Sequence, residues 1–260
     1  MQKHLETKNH IVVVSVLVLA LLLLFPTVAS PLVSYSATIG ISILNDINLR
    51  YAIAYSTFVN PDRLGSLKTV EIATDGTITD TIIDNLNFDS NWGEYPSAIH
   101  VSADVYAIAY TGDSDYGLLK TVEIATDGYI DTVIDTLTFD TDYGGDPNII
   151  SISGDVYAIA YAGDRGDGFL KTVEIATNGQ ITDTVIDELE FDTVYVANPD
   201  IIPVSGNIYA ITYCGDLDGD GFVKTVEIAT DGQITDTVID SLEFDTDWGN
   251  WPDIIQLSEN

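Results

Sequence analysis

The stretch PNIISISGDVYAIAYAGDRGDGFLKTVEIATNGQITDTVIDELEF, residues 147–191, decides the fold because its central elements occur four times in the chain. The segment YAIAY, or YAITY in the last copy, begins at Tyr51, Tyr106, Tyr157 and Tyr209. The segment KTVEIAT follows each copy, beginning at Lys68, Lys120, Lys171 and Lys224. A period of 51 to 55 residues is typical of arrays of one supersecondary unit that cannot bury its apolar faces alone.

Each unit contains four runs with the composition of β-strands. Two runs flank Ser153-Gly154-Asp155, a compact turn in which glycine can take positive φ. Two more flank Asn178-Gly179, for which we expect a two-residue hairpin loop. The sequence therefore predicts an all-β fold of four four-stranded antiparallel meanders with a period of about 52 residues. It leaves open whether they close a ring or belong to a larger array.

Alternation of side-chain size predicts how the meanders pack. In YAIAY, Tyr157, Ile159 and Tyr161 point to one face of the strand, whereas Ala158 and Ala160 point to the other. A sheet that is apolar on both faces needs cover on both. We therefore expect the bulky face of one sheet to pack on the small face of the next.

The units resemble β-propeller blades, close in layout to the kelch and FG-GAP repeat families. The resemblance extends over residues 31–260, with repeats at about 41–94, 95–146, 147–198 and 199–251 and a partial strand at 252–260. It rests on layout, because neither the paired glycines of kelch repeats nor the Trp-Asp dipeptide of another propeller family is present. A β-solenoid is the alternative, although its coils are usually shorter than about 50 residues.

The N-terminus has the pattern of an export segment. Lys3 and Lys8 precede the apolar run Ile11–Phe25, and Ala29 is a candidate for the last residue removed by a signal peptidase. The run is shorter than the roughly 20 residues of a membrane span, so residues 1–30 are interpreted as a signal peptide or a retained anchor. Either interpretation places the repeat domain outside the cell or on its surface.

The formal net charge of −32 limits the partners. Such a chain repels nucleic acids and anionic lipids, so we expect no nucleic-acid partner and membrane contact only through an uncleaved N-terminal segment. Cations and simple solubility are favoured. Adaptation to high salt is a second interpretation of the same charge.

The acidic loop CGDLDGDGFVKTVE, residues 214–227, satisfies the spacing of an EF-hand calcium loop but lacks flanking helices. Its shorter D-x-D-x-D-G core is similar to the calcium loops of FG-GAP and integrin-type propellers. That resemblance implies Asp216, Asp218 and Asp220 as ligands, with the Phe222 carbonyl as a further one. The sister loops are incomplete, and the preference of Asp and Gly for tight turns is the alternative explanation.

A second repeated feature is an aromatic residue four positions after the phenylalanine that ends the last strand of each unit, namely Phe88, Phe139, Phe191 or Phe244. Trp92, Tyr143, Tyr195 and Trp248 hold this position, and Trp251 lies just before Pro252. In a propeller these loops gather on one face, where the rings, beside Glu94, Asp142 and Asp247, could stack on sugars. Packing of each ring on its own sheet is the alternative.

The sequence gives little support for catalysis. The three histidines, His4, His10 and His100, form no cluster, and no Ser-His-Asp arrangement is evident. The only cysteine, Cys214, replaces small residues of the other repeats and is expected to be a buried filler. We therefore expect an exported non-catalytic module that binds a protein or glycan. The alternative is a propeller-fold polysaccharide hydrolase or lyase.

Overall fold

The computed structural model describes residues 49–59, 61–215 and 218–257, which form β-strands joined by short turns. The export segment at residues 1–30 and the start of the first repeat at residues 41–48 lie outside the described residues. Within the described ranges, no helix has the length and apolar character needed to cross a membrane.

The described residues contain fifteen strands and two short 3-10 turns at Asp113–Asp115 and Asp164–Gly166. The strands are β1 (Leu49–Val59), β2 (Asp62–Ile72), β3 (Asp84–Asp89), β4 (Glu94–Ser102), β5 (Val105–Thr111), β6 (Gly117–Ile124), β7 (Ile130–Asp140), β8 (Gly145–Ser153), β9 (Val156–Ala162), β10 (Gly168–Glu174), β11 (Asp187–Asp192), β12 (Val196–Ser205), β13 (Ile208–Gly215), β14 (Asp220–Glu227) and β15 (Asp240–Asp245).

Consecutive strands pair antiparallel, so each repeat forms its own meander. The strand orders are β1-β2-β3, β4-β5-β6-β7, β8-β9-β10-β11 and β12-β13-β14-β15. Three sheets thus have the predicted four strands, and the described part of the first has three. The array has the architecture of propeller blades, and within the described ranges its four sheets do not close into a ring.

The predicted packing of large faces on small faces is confirmed. Ala158 and Ala160 of β9 share one buried cluster with Tyr209, Ile211 and Tyr213 of β13. The same relation holds one repeat earlier, where Ala107 and Ala109 lie in a cluster with Tyr157, Ile159 and Tyr161. Each core cluster is therefore the interface between two neighbouring sheets, which is how a repeat array buries faces that a single meander would expose.

Each of these interfaces also contains a tyrosine–lysine–aspartate contact. The Tyr161 hydroxyl donates to Asp140 Oδ2 at 2.7 Å, and Lys171 Nζ donates to the same oxygen at 3.0 Å. Lys171 Nζ also donates to the Phe139 carbonyl at 2.8 Å. The equivalent sets are Asp89 with Tyr110 and Lys120, and Asp192 with Tyr213 and Lys224. The aspartates that end β3, β7 and β11 therefore have a structural role, because each binds a tyrosine and a lysine of the next sheet.

The hairpin loops at the Asp-Gly and Asn-Gly positions are one residue longer than the two-residue loops predicted. Ile175 pairs with Ile181, and Gly179 N donates to the Ala176 carbonyl at 2.8 Å while Gly179 itself adopts φ 86°. A type I turn followed by a left-handed glycine explains the extra residue, because it also preserves strand twist. The first turn of the third and fourth repeats matches the prediction, since Gly154 adopts φ 56° and Gly206 adopts φ 57°.

Two predicted strands differ from the structure. The fourth strand is short in the first, third and fourth repeats, as in Asp187–Asp192, and is continuous only in β7. Residues 252–257, for which a partial strand is predicted, form none. A strand needs a partner strand to hydrogen-bond with. Strands β5, β9 and β13 pair with β4, β8 and β12, whereas β1, which holds the same position in the first sheet, pairs only with β2 among the described residues.

Candidate functional site

The meander brings two kinds of loop to one end of the sheets, here called the loop face. The acidic loops that follow β5 and β9 lie at this end. The loops that connect one sheet to the next lie there too, because antiparallel strands alternate in direction. Backbone hydrogen bonds join the two kinds, as in Gly144 N to the Asp115 carbonyl at 2.8 Å.

A repeated proline segment marks the centre of the loop face. Tyr95, Asp146, Asn198 and Trp251 each precede a proline, and each has φ between 48° and 51°. Non-glycine residues seldom adopt this conformation, and it costs on the order of 1–3 kcal/mol per residue. The four segments together line a cavity of about 420 Å³, which we call the axial groove.

Two carboxyl groups in the axial groove have a raised pKa. Burial, together with the charge of Glu94, raises the pKa of Asp146, although Asn198 N donates to its Oδ2 at 3.3 Å. Burial and the neighbouring Asp253 raise the pKa of Asp200, which accepts a hydrogen bond from Ile254 N at 3.0 Å. A raised pKa widens the pH range in which a carboxyl group is protonated and can donate as well as accept a hydrogen bond.

Two equivalent pockets adjoin the axial groove, one repeat apart. The first is a cavity of about 240 Å³ whose lining includes Tyr143, Asp146 and Tyr195. The second is a cavity of about 410 Å³ whose lining includes Tyr195, Trp248 and Trp251. Tyr195 lines both, and each pocket also shares a residue with the axial groove. The three cavities are therefore adjacent to one another, and together they are here called the recess, which has repeating aromatic walls.

Four of the five rings proposed from the sequence line this recess, and one does not. Tyr143, Tyr195, Trp248 and Trp251 are exposed, the two tryptophans by 78% and 76%. Trp92 is partly buried, and the Arg63 guanidinium lies 5.0 Å from its ring centre. Packing on its own sheet thus accounts for Trp92 but not for the other four.

The acids expected beside the rings are not those that line the recess. Glu94 forms an ion pair with Arg63, and the side chains of Asp142 and Asp247 are exposed in the loops. Asp146 and Asp200 line the axial groove instead. The signal that would have indicated them is the recurring proline with a polar neighbour, as in Asp146-Pro147-Asn148 and Asn198-Pro199-Asp200.

The candidate calcium loop is only partly described. Asp216 lies outside the described residues; Asp218 is exposed, and Asp220 begins β14. No group of three or more His, Cys, Asp or Glu side chains that could hold a metal is present in the described ranges. Glu227, the twelfth residue of the EF-hand pattern, ends β14. At the usual rise per residue it lies about 23 Å from Asp220, at the other end of the same strand. The EF-hand spacing is therefore a coincidence, as expected from the missing helices.

The sister loops close by turn hydrogen bonds of their own. Gly112 N donates to the Tyr116 carbonyl at 2.8 Å, and Asp113 Oδ1 accepts from Ser114 N at 3.0 Å. Gly163 N donates to the Asp167 carbonyl at 2.7 Å in the next repeat. Turn formation by Asp and Gly accounts for these two loops without an ion.

Cys214 has the predicted role of a buried filler. Its side chain is buried, and its Sγ lies 2.9 Å from Asn250 Oδ1. Burial, together with the charge of Asp220, raises the pKa of the thiol, which disfavours the reactive thiolate.

Comparisons with known proteins identify the fold only. No family model matches the chain, and no curated protein matches it. A solved Bacteroides fragilis protein assigned as a 6-phosphogluconolactonase superposes with a TM-score of 0.54 at 12% identity, covering 72% of this chain and 52% of that one. The chain thus spans about half the length of that protein.

Two further solved structures match less well. A subtype N10 neuraminidase-like protein of a little yellow-shouldered bat isolate has a TM-score of 0.43 at 10% identity over 72% of this chain and 59% of that one. A GH43 β-1,3-galactosidase has a TM-score of 0.45 at 9% identity over 73% and 75%. The Bacteroides fragilis protein, which superposes better, is a propeller-type fold, in agreement with the four-sheet array.

Proposed function

We propose that the chain is an exported, non-catalytic binding module whose loop face binds a carbohydrate chain at the cell surface or outside the cell. The observation that carries this proposal is the exposure of Tyr195, Trp248 and Trp251 around one pocket that also contains Asn250 and Asp218. Exposed rings beside hydrogen-bonding groups suit a ligand with apolar ring faces and polar edges.

The repetition of the pocket favours a polymer. The two aromatic pockets are separated by one repeat, share Tyr195 and each have a lining residue in common with the axial groove. A ligand built of identical units can occupy both pockets in the same way, and the second contact strengthens the first. The net charge of −32 favours a neutral sugar chain over an anionic one.

A glycan array followed by titration calorimetry with the best neutral oligosaccharide tests this proposal. We expect Trp248→Ala combined with Trp251→Ala to weaken binding at least tenfold, because the stacking surface of one pocket is lost. Tyr129→Gln is the matched control, since Tyr129 is an exposed ring in a hairpin loop at the opposite end, where two other repeats have glutamine. No binding to any glycan, or equal affinities for all three proteins, would refute carbohydrate recognition at this face and favour a protein ligand.

A polysaccharide hydrolase is the second candidate, and the raised pKa of Asp146 and of Asp200 favours it. A glycosidase uses two carboxyl groups, of which the general acid has a raised pKa, and Asp146 and Asp200 line the same groove. Release of reducing ends from a bound polysaccharide, lost in Asp146→Asn, would support this alternative over a non-catalytic module. Binding without release of reducing ends supports the first proposal.

Calcium stabilisation of the Asp216–Asp220 loop remains a separate proposal. It rests on the D-x-D-x-D-G spacing, because carboxylate and carbonyl oxygens are the ligands that calcium prefers. If it holds, millimolar calcium raises the thermal midpoint above that in NaCl of equal ionic strength, and Asp218→Ala with Asp220→Ala abolishes the rise. Equal midpoints in the two salts would contradict it.

A further inference from the structure

The two ends of the sheet array expose surfaces that are buried everywhere else in the described chain. At one end the face of β1 with Tyr51, Ile53 and Tyr55, here called the head face, exposes Ile53 by 49%, whereas the equivalent Ile159 is fully buried. At the other end β15, here called the tail face, exposes Phe244 by 47%, whereas the equivalent Phe191 is 2% exposed. The head and tail faces are the two halves of the interface that joins neighbouring sheets.

The polar groups of the two faces are complementary as well. In each internal interface, a lysine and a tyrosine of the later sheet bind the aspartate that ends the earlier sheet, as in Lys224 and Tyr213 with Asp192. The head face has the lysine and the tyrosine of this set, with Lys68 Nζ 5.6 Å from the centre of the Tyr55 ring. The tail face has the earlier half, which is the exposed Asp245. Lysine and aspartate thus lie at matching positions on opposite ends.

Two further hydrogen bonds recur at every internal interface. The Thr172 hydroxyl donates to the Gly232 carbonyl at 2.6 Å, and Ile234 N donates to Asp187 Oδ2 at 2.8 Å. The same pairs link the other neighbouring sheets, from Thr69 to Gly128, Thr121 to Gly179, Ile130 to Asp84 and Ile181 to Asp135. By the repeat alignment the tail face offers Thr225 and Asp240, and the head face offers the Gly76 carbonyl and the Ile78 amide.

The edge of β1 offers a place for a strand from the tail end. Strands β5, β9 and β13 pair on one edge with β4, β8 and β12, which are here called the inner strands. Strand β1 pairs only with β2 among the described residues. Residues 252–257, PDIIQL, match PDIIPV at 199–204, which lies in β12, and Ile254 N is held by Asp200 beside that strand. Residues 252–257 therefore lie next to β12 but belong to none of the described sheets.

We infer that the head face of one molecule binds the tail face of a second copy of the same chain. The contact repeats an interface that occurs three times within the chain, and it joins Lys68 of one copy to Asp245 of the other. Formed twice, it would join the four described sheets of each copy into an array of eight, within the range of about four to eight blades typical of propellers. Heterologous contacts of this kind close into rings when the rotation permits.

Analytical ultracentrifugation of the full chain, in about 0.3 M NaCl to screen repulsion between acidic copies, tests the inference. We expect the wild-type chain to sediment as a complex of two copies, with Lys68→Glu and Asp245→Lys each weakening association at least tenfold. An equimolar mixture of the two variants should restore association, since one contact is then wild-type and the other has a reversed ion pair.

Two more variants separate this contact from other causes. Asp236→Lys makes the same change in net charge as Asp245→Lys at an exposed position outside both faces, and it should leave the dimer intact. Ile53→Asp should also give monomers without disturbing the fold, because Ile53 is half exposed in the single chain. A monomeric wild-type chain would overturn the inference and favour closure of the ring within one molecule. Association that is insensitive to Lys68 and Asp245 would overturn it too.

Discussion

The backbone of Ala103 adopts a conformation that its sister repeats give to glycine. Its φ is 45°, against 56° at Gly154 and 57° at Gly206, and a side chain at either glycine would meet nothing within 4 Å. The left-handed region costs an alanine about 1–2 kcal/mol, whereas added chain entropy makes glycine about 0.4–1 kcal/mol less favourable. The strain of an alanine in this conformation therefore costs more than the chain entropy that a glycine adds to the unfolded state.

We therefore expect Ala103→Gly to stabilise the protein by about 0.5–1 kcal/mol, which raises the thermal midpoint by about 1–4 °C for a domain of this size. Gly154→Ala is the reciprocal variant and should destabilise by a similar amount. Thermal and urea unfolding of the three proteins measure both changes. A lower midpoint for Ala103→Gly would show that turn strain at this position is negligible.

At the scale of the elements, the strands of neighbouring sheets are joined through charged groups whose state depends on pH. Burial would raise the pKa of Asp140, but hydrogen bonds from Tyr161, Asp142 and Lys171 outweigh it and hold the pKa below its ordinary value. The pKa of Asp89 and that of Asp192 are lowered by the same balance, burial being outweighed by their hydrogen bonds and lysine neighbours. A carboxylate with a depressed folded pKa stabilises the fold above its unfolded pKa.

The pKa of these carboxyl groups is about 3.8 in the unfolded chain and lower in the folded protein. Their stabilisation of the fold should therefore be lost as the pH falls from about 3.8 through the folded pKa values. Asp140→Asn removes one such group, so we expect its free energy of unfolding to fall less steeply with acid than that of the wild type. Urea unfolding between about pH 2.5 and 6 measures the slopes. The exposed Asp236→Asn serves as control, and parallel curves for wild type and Asp140→Asn would contradict the assignment.

The elements show where sequence reasoning succeeds and where it stops. The repeat period and the Tyr-Ala alternation predict the meanders and their packing, because side-chain direction in a strand is fixed by position. Loop length at Asn178-Gly179 is not predicted correctly, since Asn-Gly suits both two- and three-residue turns. The proximity of Asp146 and Asp200 could not be predicted, because it arises where separate sheets converge on the axial groove.

At the scale of the whole molecule, the dominant electrostatic term is self-repulsion. A net charge of −32 on 260 residues disfavours the compact state, because folding brings the carboxylates closer together. The half-buried pairs, such as Lys171 with Asp140 and Lys224 with Asp192, act in the opposite direction and are screened less by salt than exposed charges. Salt should therefore reduce the repulsion more than it reduces the attraction.

We accordingly expect the thermal midpoint to rise as NaCl increases from about 0.05 to 1 M, with most of the gain below about 0.5 M, where the screening length has fallen to a few ångströms. KCl should give the same curve, because screening depends on ionic strength and not on the cation. A thermal midpoint that continues to rise up to several molar NaCl would instead indicate adaptation to high salt, since the screening of charges is complete well below that concentration. A midpoint that falls with salt would mean that the ion pairs between sheets outweigh the repulsion among the surface carboxylates.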